Sequence, residues 1–100
     1  FHESNLHRLK GEILLLDSAS NQAAAIAEFE RATEIARQQK AGSWELRAAM
    51  SLAKVLNQQG NRSQAAELLQ KVFASFTEGF DTPDLVEARS LLKEWGHESL

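Results

Sequence analysis

Two stretches of this chain can be laid over one another, and that self-similarity restricts the fold more than any single motif. "AAAIAEFERATEIA" (23–36) aligns with "SQAAELLQKVFASF" (63–76) at a shift of 40 residues, which puts Ala25 on Ala65, Phe29 on Leu69 and Ala32 on Val72. The segments before them align at a shift of 42, with Gly11 on Ala53 and Leu14 on Leu56; the "DSASN" turn (17–21) takes up the difference. Each unit obeys one rule. A small residue sits mid-way along a first segment with a large one three further on, and a small residue opens the second with a large one four later. Small residues let two helix axes approach, and the large ones fill the groove beside the crossing. A period of this size predicts helix pairs that stack, each burying its apolar face on the next.

Composition agrees with helices. Fifteen alanines and a single proline, with few β-branched residues, favour an all-α chain. The apolar positions recur at helical spacing in five segments. Leu6, Leu9, Ile13 and Leu16 mark the first, and Ile26, Phe29, Ala32, Thr33 and Ala36 the second. Gly42 is expected to stop the second helix and Ser43 to cap the third, whose stripe is Leu46, Ala49, Met50, Ala53 and Leu56. Gly60 and Asn61 form the next turn, followed by Ala65, Leu68, Leu69, Val72, Phe73 and Phe76. The stretch "FTEGFDTPDL" (76–85) then reads as a helix stop, a short loop and a helix start. Thr82 is placed to cap, Pro83 occupies the first helical position, and Asp84 faces the positive end of the dipole. Phe80 is expected to plug the loop onto the core. Leu85, Ala88, Leu92 and Trp95 give the fifth stripe, closed by Gly96.

The small-and-large pattern, with Gly60 in the turn five residues before Ala65, resembles the tetratricopeptide repeat. The expected fold is therefore antiparallel helix pairs in a right-handed superhelical stack, with one repeat over 3–41, a second over 43–77 and a C-terminal capping helix over 82–96. Where the family has a glycine turn the first repeat has "SASN", and the period of about 40 exceeds the family's usual 34. Over nearly the whole chain, "LHRLKGEILL", "FERATEIARQQKAGSWELRAAMSLAKVL" and "FTEGFDTPDLVEARSLL" look like the C-terminal end of large bacterial signalling proteins. Those carry a nucleotide-cyclase or transcription-activator domain, then a predicted ATPase module, then such repeats. The resemblance implies a cytoplasmic regulatory arm cut from a longer protein, with catalysis upstream and no catalytic residues to carry over. The start at Phe1, without a methionine or a basic-then-apolar leader, suits that expectation.

Chemistry-bearing patterns are sparse. The chain has no cysteine, which removes disulfides and thiolate metal sites. Its net charge is −3, with eleven basic residues scattered among fourteen carboxylates, so no nucleic-acid stripe forms. The longest apolar run, "ILLL" (13–16), is one helical turn, far short of a membrane span. His2 and His7 lie about 140° apart around a helix, unlike the paired histidines of a zinc hydrolase, and Glu3 with His7 makes only two ligands. His97 follows the last helix and suits a helix C-terminus. Glu28, Glu30 and Glu34 read as part of a solvated charged face with Arg31, Arg37 and Gln38. Trp44 and Trp95 are expected to cover the ends of the core. No catalytic, cofactor or metal site is expected, and no cofactor.

The remaining candidate is a surface. In stacked pairs the first helices line the concave side, which here would present Asn5, Arg8 and Glu12, then Arg47, Met50, Lys54 and Asn57. Arginine and asparagine suit an extended peptide or a terminal carboxylate. The expected function is a non-catalytic module that binds a protein or peptide partner, or other domains of its own chain. The alternative is a homo-oligomerisation module, dimerising through the first helix pair, where Leu6–Leu16 stand bare on at least one side.

Overall fold

The computed structural model describes residues 3–17, 21–75 and 83–95, and every regular element among them is an α-helix. The helices are α1 (Glu3–Asp17), α2 (Gln22–Gln38), α3 (Gly42–Gln58), α4 (Arg62–Phe73) and α5 (Pro83–Glu94). Each packs on its neighbour in sequence, while α3 also touches α1 and α5.

Two connections have the same construction. At the end of α2, Lys40 takes the left-handed conformation (φ 55°), and the Ala41 N–H donates back to Ala36 O at 2.8 Å. At the end of α3, Gly60 does the same (φ 89°), and Asn61 N–H reaches Leu56 O at 2.9 Å. Both are left-handed C-caps that satisfy otherwise orphaned carbonyls. Gly60 was expected in this role. At the first turn the expectation fails by two residues: Lys40 takes the left-handed position and Gly42 is already the first residue of α3. Ala41 holds the cap position, with Glu45 N–H on its carbonyl at 2.9 Å, so Ser43 lies inside the first turn and caps nothing. A β-carbon in the left-handed region is strained by roughly 1–2 kcal/mol. Starting α3 directly after a three-residue connection, with the Ala36 carbonyl satisfied, offsets that strain.

The core runs from α2 through α3 and α4 to α5. Phe29, Leu46, Leu69 and Leu92 are its largest fully buried apolar side chains. Of the aligned small and large positions, Ala25, Phe29, Ala53, Leu56, Ala65 and Leu69 are buried and Leu14 is partly so. At Gly11 the crossing is tightest: a β-carbon there would stand 2.5 Å from Phe29 Cε1. Thr33 returns its hydroxyl to Phe29 O at 2.9 Å, which makes a polar side chain acceptable in the core. Trp95 is buried in the core at the end of α5, while Trp44 is half-buried with the Arg47 guanidinium 4.8 Å above its ring.

The first stripe points the other way from the rest. α1 meets α2 and the core through Ser4, Gly11, Leu14 and Leu15, whereas Leu6, Leu9, Ile13 and Leu16 are exposed. The expected contributions of Phe76, Phe80, Thr82 and Gly96, and those of His2 and His97, lie outside the described residues.

Candidate functional site

Five of the seven expected partner-binding residues fall into two polar clusters, one between α1 and α3 and one between α3 and α5. In the first, Arg8 Nε–H donates to Asn5 Oδ1 at 3.0 Å, with its guanidinium 3.7 Å from Glu12. Glu12 in turn accepts a hydrogen bond from the Ser51 hydroxyl at 3.0 Å, which ties α1 to α3. In the second, Arg47 reaches Asp84 at 2.9 Å and Lys54 reaches Glu87 at 2.8 Å, which ties α3 to α5. These spacings follow from helix geometry: Arg47, Ser51 and Lys54 share one face of α3, and Asp84 and Glu87 are three apart on α5.

Met50 is buried and belongs to the core, so its side chain is not part of the surface. Asn57 is half-buried at the last turn of α3. Sequence reasoning missed Ser51, Asp84 and Glu87, because their partners lie 33 to 39 residues away and the pairing needs the helix register. The arrangement uses the charge of Arg47 and Lys54 to seat α5. Both stay partly exposed, with outer edges that still face solvent.

A third polar group clasps α1 to α2. His7 Nδ1–H donates to Glu28 Oε1 at 2.8 Å, Lys10 Nζ stands 3.8 Å from the other oxygen, and the buried Ser4 hydroxyl donates to Ala32 O at 2.8 Å. The His7 hydrogen bond, with help from Lys10 and Arg31, holds the Glu28 carboxyl below the ordinary carboxylate range, while partial burial pushes the other way. Glu28 therefore leaves the solvated face on which it was expected. Its position one residue before Phe29, on the flank of the buried stripe, was the available signal. Glu34 remains on that face, paired with Arg37 at 3.1 Å and Gln38 at 3.3 Å, and Arg37 also bridges to Glu45.

Among the described residues no three His, Asp or Glu side chains gather as a metal site, and no helix is long and apolar enough to cross a membrane. No family model, curated protein or solved structure matches this chain.

The remaining surface feature is apolar. Leu6, Leu9, Ile13 and Leu16 are 48, 40, 64 and 86% exposed and form one stripe along α1. Scattered exposed leucines are ordinary on a soluble surface, but four in a row on one helix face make a patch.

Proposed function

We propose that this chain is a non-catalytic, tetratricopeptide-like repeat module that binds protein through the free face of its first helix. The observation that carries this reading is the α1 stripe, where large aliphatic side chains face solvent while the opposite side of the same helix is packed. In this reading the two helix pairs stack right-handed, α5 closes the far end, and the module serves as a cytoplasmic regulatory arm. Its resemblance to the C-terminal end of bacterial cyclase-like or ATPase-containing signalling proteins supports that role. Peptide capture on the Asn5–Asn57 face is the weaker form of the proposal, since Arg47 and Lys54 already hold α5. Reversing their charge would set like charges beside Asp84 and Glu87 and disturb α5 as well as any partner, so such variants do not separate binding from folding.

The stripe itself gives the cleaner experiment. At about 1 µM protein, where weak self-association is absent, anilinonaphthalene sulfonate should fluoresce on the native chain. Ile13→Glu should remove most of that signal while leaving helix content unchanged. A native chain that binds no dye would sink the reading.

A further inference from the structure

The repeat alignment allows the α1 stripe to be compared with its own counterpart. At the shift of 42, Leu6, Leu9, Ile13 and Leu16 correspond to Ala48, Ser51, Val55 and Gln58 of α3. Ala48, Ser51 and Val55 are buried, Ser51 bonds to Glu12 of α1, and α3 packs on both helices of the preceding pair. That internal joint uses small or β-branched residues, which let the preceding helices come close. α1 has leucine where α3 has alanine and serine, and the larger isoleucine where α3 has valine. A surface built for another joint of the same kind would keep them small.

The spacing of the four points to a different partner. Steps of three, four and three residues reproduce the a and d positions of two heptads, with Leu6 and Ile13 at a, and Leu9 and Leu16 at d. Such a seam is narrower than the face of a helix buried in a globular core, and it packs knobs-into-holes against a like seam. From this we infer that the occupant is a second copy of this chain, with α1 against α1 in a two-fold dimer. This deepens the proposal that α1 is an interaction surface and rests on it.

Area sets the strength. The four side chains expose on the order of 400 Å² of apolar surface per copy, a patch of functional size. Two copies with their flanking residues bury roughly 1,000–1,200 Å² in total, the lower edge for a specific interface. The dimer is therefore weak and dissociates on dilution.

Sedimentation equilibrium of the 100-residue chain from about 10 µM to about 1 mM tests it. The apparent mass should climb from 11.1 kDa towards twice that value. Ile13→Glu and Leu16→Glu should stay monomeric with unchanged helical circular dichroism; both sites are exposed, so neither change burdens the fold. Val86→Glu, at the exposed apolar position of α5, should dimerise like the native chain. A native chain that stays monomeric at 1 mM, or a dimer that survives both α1 substitutions, would overturn the self-pairing. If that monomer still binds the dye through Ile13, the interaction surface stands and only its occupant is wrong. If it binds none, both readings fall together.

Discussion

Gly11 is the position at which a single atom decides the most. An alanine there would gain about 1 kcal/mol of helix propensity on an exposed helix. Its β-carbon would, however, meet the Phe29 ring at 2.5, 2.9 and 3.0 Å. Phe29 is fully buried and cannot swing away, so the ring or the α1 backbone must shift, and overpacking of this kind destabilises by about 1–3 kcal/mol. The steric term wins, and Gly11→Ala should lower stability by up to about 2 kcal/mol in urea unfolding, the difference between those two ranges. A neutral or stabilised variant would show that α1 and α2 do not cross at this distance. The aligned small position, Ala53, already carries its β-carbon, so the two positions are not equally crowded.

At the scale of elements, the clasp between α1 and α2 makes a pH prediction. Glu28 has its carboxyl pKa depressed in the folded protein by His7 and Lys10 of α1 and by Arg31 of α2. A depressed carboxylate stabilises above its unfolded value, near 4.5, and the contribution is lost as pH falls through the lower folded value. A charge-assisted bond at a partly solvated site contributes about 1 kcal/mol, worth roughly 4–8 °C in a domain of this size. Glu28→Gln should therefore melt lower than the native chain at pH 7, and the gap should narrow as pH falls below the ordinary value of 4.5. A gap that persists in acid would mean that the Glu28 charge is not what joins the helices. This clasp was illegible in the sequence, where Glu28 looked like one of three surface carboxylates. Helix existence and the stripes of α2 to α5 were legible, because period and burial coincide along Phe29–Ala36, Leu46–Leu56 and Leu85–Trp95. On α1 they do not coincide. The packed side mixes Ser4 and Gly11 with Leu14 and Leu15 and shows no apolar period, while the period marks the side that no described residue covers.

Across the whole molecule the helices are unequal in their dependence on one another. α3 carries nine buried residues and touches all four other helices, whereas α1 touches only α2 and α3, and α5 only α3 and α4. Where helices pack mainly on their sequence neighbours, stability approaches a sum of nearest-neighbour interfaces, so the ends can open while the centre holds. α5 is held by Leu85, Ala88, Leu92 and Trp95 and by two partly exposed ion pairs, which together contribute little beyond the apolar burial. α1 packs closely on α2 at Gly11 and through its polar clasp, but its partly buried Leu14 and Leu15 only edge the core. Amide hydrogen exchange should accordingly be slowest along Ala48–Leu56 and at least roughly tenfold faster in α1 and α5, which corresponds to openings about 1.4 kcal/mol or more below global unfolding. Measured across the dimerisation range, the α1 amides should slow as concentration rises, while those of α5 stay unchanged. Uniform protection in all five helices at low concentration would mean that the chain unfolds as one cooperative body, and a layered stack would then be the wrong description of how its helices depend on each other.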